Sequence, residues 1–159
     1  MKNSEARMVA FGGITAALYV VLTMVANALG LASGAIQVRF SEALTILPVF
    51  NTAAIPGLTV GCVLANLITG CAPWDVVFGS LATLIGAVGT RLLRKNPWIA
   101  WIPPVISNMA IIPVVLQKVY GVPDAWWYLV LTVGAGEVIS CGVLGLLLYH
   151  SAKRFPQLK

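Results

Sequence analysis

The chain holds five acidic residues in 159, and Glu137 lies deep inside an apolar run. It stands twelve residues into the run 125–149. At 1.5 Å per helical residue that is roughly 18 Å, near the middle of a bilayer. A charge at that depth costs at least ~2.5 kcal/mol unless it is solvated or paired. Such a residue reads either as a site facing the interior of a helix bundle or as a structural hydrogen bond to a neighbouring helix. Asn108 sits about ten residues into the run 98–117, at similar depth from the opposite side. Asn66 falls in the outer half of the run 57–70, and Glu42 and Asp75 fall at outer span ends. These groups converge on one half of the chain's apolar interior, with Glu137 and Asn108 as the floor. The chemistry they offer is ligand recognition, because a carboxylate accepts from two adjacent N–H groups and an amide both donates and accepts. The inner half carries almost no polar residue, which fits a pocket open to the outside better than a pore.

The stretch AIQVRFSEAL is the most unusual polar segment. Arg39 and Glu42 are three apart and can pair on one helical face. Gln37 and Arg39 alternate with Val38 and Phe40, as in an extended strand. Ser41 is placed to cap a following helix. The segment reads either as an interfacial anchor with a solvated ion pair or as a wall over the pocket. On the first span, Ala6, Ala10, Gly13 and Ala17 recur at spacings of four, three and four, with Gly12 and Ala16 as a parallel row. Small-residue rows let helix backbones approach closely in lipid, either within the bundle or against an external partner. Trp74, Trp98, Trp101, Trp126 and Trp127 lie near span ends, as belt residues do. Trp126 and Trp127, at the outer end, can also stack on a planar ligand.

Catalytic patterns are lacking. No GxxxxGK[ST], HExxH or GxSxG is present. Cys62, Cys71 and Cys141 sit in apolar segments without a CxxC pair, and His150 is the one histidine, so no metal site is expected. The chain carries no cofactor motif, and an intramembrane enzyme is the least favoured class.

The elements that must position these residues are membrane helices. Hydrophobic residues make up 59% of the chain and charged residues 9%, with a mean hydropathy of +0.92. That composition excludes a disordered chain and argues against a water-soluble domain, which needs about 25% charged residues to cover its surface. The net charge of +5 comes from dispersed bases with no aromatic interleaving, which speaks against nucleic acid. Apolar runs at 8–29, 42–55, 57–70, 74–93, 98–117 and 125–149 suggest one transmembrane domain, 1–159, with six spans. The second and third runs are short and leave a five-helix count as the alternative. With the N-terminus inside, six crossings place Lys2, Arg7, Arg91, Arg94, Lys95, Lys153, Arg154 and Lys159 in the cytosol and only Arg39 and Lys118 outside. This positive-inside bias puts both termini on the cytosolic side. The opening MKNSEARMVAFGG reads as a cytosolic start feeding a span, not as a cleavable signal.

Three segments carry a family resemblance: AFGGITAALYVVL, IQVRFSEALTILPVF and GLTVGCVLANLITGCAPWDVVFGSLATLIGA. Together they resemble the QueT family of queuosine-precursor transporters, substrate-binding S-components of energy-coupling factor (ECF) transporters. VRFSEAL and ANLITG…WDVVFGSLATL are its specific parts, and the similarity covers roughly Ala6 to Leu147. It implies an all-α, six-transmembrane-helix S-component bundle in the plasma membrane of a prokaryote. The implied substrate is a 7-deazaguanine such as 7-aminomethyl- or 7-cyano-7-deazaguanine, or queuine. The implied partners are an ECF transmembrane coupling protein and two ATPase subunits, which use the ATP. Ala10, Gly13 and Ala17, with Ala6 just below, would face the coupling protein. For such a ligand, Glu137 is the first candidate to accept the ring N–H and exocyclic amine. Asn108 and Arg39 can serve the ring carbonyl, Glu42 or Asp75 an aminomethyl cation, and Trp126 or Trp127 the ring face. The competing readings are an S-component for another vitamin and a self-sufficient channel or facilitator.

Overall fold

A computed structural model describes residues 2–31 and 36–155, and every regular element in it is helical. The order is α1 (Lys2–Ala28), a 3-10 helix (Phe40–Val49), α2 (Ala54–Ile68), α3 (Pro73–Leu92), α4 (Ile102–Lys118) and α5 (Trp126–Ala152). Three stretches are long and apolar enough to cross a membrane: Glu5–Ala28, Pro73–Leu92 and Trp126–Ala152. The other three are shorter. At 15 residues α2 rises about 22 Å, less than the ~30 Å hydrocarbon core. Residues 32–35, between α1 and the 3-10 helix, and Lys159 of the charge pattern lie outside the described residues.

The helices follow one another around an open ring, α1 on α2, α2 on α3, α3 on α4, α4 on α5, with the 3-10 helix in the middle. Small residues make the tightest crossing. Gly57, Gly61 and Ala65 recur every four residues on α2 and meet the Gly12, Ala16 and Tyr19 face of α1. A Cβ on Gly57 would lie 2.5 Å from the Gly12 carbonyl oxygen and 3.0 Å from Thr15 Cβ. The Gly13 position has nothing within 4 Å. Gly57→Ala therefore has to push α1 and α2 apart, at a cost of about 1–3 kcal/mol, whereas Gly13→Ala costs nothing sterically. Thermal unfolding of the two detergent-purified variants should show a lowered midpoint only for Gly57→Ala. The two small-residue rows of α1 thus separate. Gly12 and Ala16 pack inside the bundle, and Ala6, Ala10, Gly13 and Ala17 stay exposed on the outer face.

Ser41 to Pro48 are all buried, so the 3-10 helix acts as an internal plug. Ten residues is long for this helix type, and such runs often mark strain or function. Its C-terminal carbonyls are satisfied from α3: Arg91 donates to the Pro48 and Val49 oxygens at 3.0 and 3.2 Å. Ser41 does not cap it. The helix begins one residue earlier, at Phe40, and the buried Ser41 hydroxyl accepts instead from Thr23 Oγ1 at 2.9 Å. Glycines in the left-handed region, Gly70 (φ 72°) and Gly121 (φ 64°), end α2 and α4.

Phe11 of α1, Leu44 and Leu47 of the 3-10 helix, and Leu148 and Ala152 of α5 line one cleft of about 330 Å³. The start of the first helix and the end of the last therefore lie on the same side. Trp98 packs against His150, and Phe50 stacks on Tyr149, at that side as well. Arg91, Arg94, Lys95, Lys153 and Arg154 gather there, while Asp75 and Tyr120 meet at the far end.

Candidate functional site

Glu137 closes the regular α-helical part of α5, and residues Val138–Leu144 continue it as a π-helix. The wider π turn shifts the side chains that follow, a distortion found frequently at functional sites. Ser140 donates to the Gly136 carbonyl at 2.9 Å, and the Cys141 thiol donates to Glu137 Oε2 at 3.2 Å. Trp101 covers this stretch from the side, its ring edge 3.3 Å from where a Cβ on Gly142 would stand.

Residues 36–39 form an extended strap that crosses α5 on this turn. Its backbone is pressed against Gly136, where a side chain would overlap the Gln37 carbonyl. Val38 N donates back to the Leu31 carbonyl at 3.0 Å, and Arg39 N donates to Ser140 Oγ at 3.1 Å. The strap leads Arg39 and Glu42 into the bundle. Glu42 is 2% exposed and Glu137 8%. Tyr19 of α1 donates its phenolic O–H to Glu42 Oε1. Thr45 bonds the Glu42 carbonyl at 2.6 Å and Cys141 Sγ at 3.4 Å. Asn108 faces Glu137 from α4. Arg39, half-buried, lies in the field of both carboxylates. Four of the residues singled out from the sequence, Arg39, Glu42, Asn108 and Glu137, are therefore neighbours, drawn from the strap, the 3-10 helix, α4 and α5.

A second polar group lies toward the far end. Asn66 and Asp75 flank Gly79, where a Cβ would stand 3.2 Å from Asn66 Nδ2 and 3.5 Å from Asp75 Oδ1. Tyr120 donates to Asp75 Oδ2 at 2.8 Å and accepts from Ala72 N at 3.1 Å, tying the loop before α3 to the loop after α4. Partial burial, reinforced by the bond to Asp75, pushes the Tyr120 phenol up to about 12, so it remains a neutral donor at physiological pH. The Thr83 hydroxyl and the Asn66 amide both donate to Cys62 Sγ, at 3.4 and 3.7 Å, and carry this polar seam inward from Asn66.

Trp126 and Trp127 stand apart from both groups, 52% and 63% exposed, and Trp127 packs edge-on against Tyr128. Beside them Gln37, Asp124, Leu129 and Thr132 line a cavity of about 280 Å³, one and two turns of α5 beyond Gly136. Sequence reasoning did not single out Tyr19, Thr45 or Ser140, and it placed Cys141 only in an apolar segment, outside any site. Tyr19 extends the Gly12–Ala16 row at the next inward position, and Cys141 is four residues from Glu137, so helical spacing marks both.

Residues 9–154 match the family described as QueT transporter. A curated relative, the protein named Queuosine precursor transporter QueT of Lactococcus lactis subsp. cremoris (strain MG1363), is 38% identical over 86 residues. That alignment covers 54% of this chain and 50% of the relative, so the match spans about half the length of each. No solved structure matches. The family match covers nearly the whole chain, including every element that builds the site, and the chain belongs to the QueT transporter family.

Proposed function

We propose that the chain is the substrate-binding membrane subunit for uptake of a queuosine precursor of the 7-deazaguanine class. The observation that carries this reading is the buried Glu137 carboxylate, faced by Asn108 and sharing its surroundings with Arg39 and Glu42. A 7-deazaguanine presents a ring N–H beside an exocyclic amine, and a carboxylate is their matched bidentate acceptor. Asn108 and Arg39 supply donors for the ring carbonyl. The strap over Gly136 forms the outer wall of the site, and the Asp75–Tyr120 clasp holds the loops at that end. The relative's name, which refers to a queuosine precursor, supports the substrate class.

In the same reading the subunit works in a prokaryotic plasma membrane with both termini cytosolic. ATP hydrolysis by two ATPase partners energises it through an ECF coupling protein. Support comes from the exposed outer row Ala6, Ala10, Gly13 and Ala17 on α1, where backbone can approach backbone. Alongside it Met8, Gly12, Gly13, Pro56 and Val60 line an apolar groove of about 480 Å³. The test is calorimetry on the purified chain with a panel of deazapurines and vitamins. Tight binding confined to 7-deazaguanines is the expected result. A tight hit only with riboflavin or biotin would overturn the substrate class, and uptake by this chain without ATPase partners would overturn the energised mechanism.

A further inference from the structure

One oxygen from each of Glu42 and Glu137 and the sulfur of Cys141 all lie within 4.8 Å of one another. Glu137 Oε2 is engaged by the Cys141 thiol, and Glu42 Oε1 by Tyr19. Glu42 Oε2 is buried and has no partner. Among the described residues the cation acting on both carboxylates is Arg39. Two buried carboxylates, with oxygens within 4.8 Å of one another, share one guanidinium. An acidic oxygen shut away from water without a donor is costly, and the cost is recovered when a cationic donor arrives.

We infer that the site selects for ligands that bring their own positive charge: a 7-deazaguanine bearing a protonated amine on its C7 arm, in preference to a neutral nitrile. This rests on the 7-deazaguanine reading above. Glu137 takes the ring edge, and Glu42 Oε2 takes the ammonium. A primary alkyl amine is protonated at neutral pH, and its N⁺–H bond to a carboxylate is of the strong, charge-assisted kind. Asp75, the other acid considered for this role, is already bonded to Tyr120 at the far end. A divalent metal fits less well, because Arg39 repels it and the Cys141 thiol spends its proton on Glu137.

Calorimetry on the full chain at pH 7, with 7-aminomethyl- and 7-cyano-7-deazaguanine, tests this. The wild-type protein should bind the aminomethyl compound roughly 100-fold more tightly. In Glu42→Gln that preference should fall to within about threefold through loss of aminomethyl affinity, with folding read separately from the thermal unfolding midpoint. Equal wild-type affinities would overturn the inference whether or not Glu42→Gln folds, and so would a preference that survives the substitution. A saturable zinc isotherm without purine, abolished in Glu42→Gln, would overturn it in favour of a metal site. Binding of neither deazaguanine would instead sink the reading it rests on.

Discussion

Glu137→Gln should lower affinity for a 7-deazaguanine at least 100-fold, about 3 kcal/mol, while the unliganded protein melts at or above the wild-type temperature. The two halves of this result have separate causes. Glutamine keeps the size of the side chain but turns one acceptor oxygen into a donor facing the donors of the ring, so a bidentate charged contact is lost and a repulsive one appears. The folded, empty protein loses only a buried charge whose desolvation was unfavourable, and replacing such a charge with a neutral isostere is often neutral or stabilising. Asn108 and Cys141 can still bond the amide oxygen. If Glu137 were only a structural anchor, the order would invert: the melting temperature would fall and the affinity of the folded fraction would not change. Calorimetry and thermal unfolding on one preparation distinguish the two.

Gly13→Leu combined with Ala17→Leu should reduce uptake by whole cells to background while binding to the isolated chain changes less than about threefold. Both positions look out of the bundle: a Cβ at Gly13 meets nothing within 4 Å, and Ala17 is exposed one turn on. Two leucines there instead hold any approaching helix off the α1 backbone and remove the close contact that small residues allow. Uptake of labelled substrate, read beside co-purification of partner subunits, checks it. Normal uptake in the double variant would mean that the partner docks elsewhere.

The convergence of Glu137, Asn108, Arg39 and Glu42 was legible because charge is so scarce in this chain. A lone carboxylate in the middle of an apolar run has few permitted surroundings, and the other polar residues at its depth can be counted. The outward row of α1 was legible as a pattern, but not which of its two rows faces out. That depends on Gly57 and Gly61 of α2 pressing on Gly12 and Ala16, a contact between segments far apart in sequence. The 3-10 helix and the π turn were not legible either. Phe40–Val49 reads as an ordinary short apolar helix, and its tighter winding follows from burial on every side and from Arg91 gripping its end. The widened turn after Glu137 depends on the strap crossing at Gly136 and on Trp101 against Gly142, neither of which leaves a periodic trace. Trp126 and Trp127 show the converse: their position in the chain suits stacking on a ligand, and the fold turns them outward.

The ring of helices is open between α1 and α5, and the 3-10 helix with its cleft fills the gap. Tyr19 and Glu137 belong to the two edges of that gap, and Glu42 to the piece between them. A ligand held by both acids therefore acts as a clip across the seam of the bundle, stiffening the link between the chain's first and last helices. Because α1 also carries the exposed small-residue row, such a clip would change how firmly that row is held, and a docked neighbour could sense a filled site without touching it.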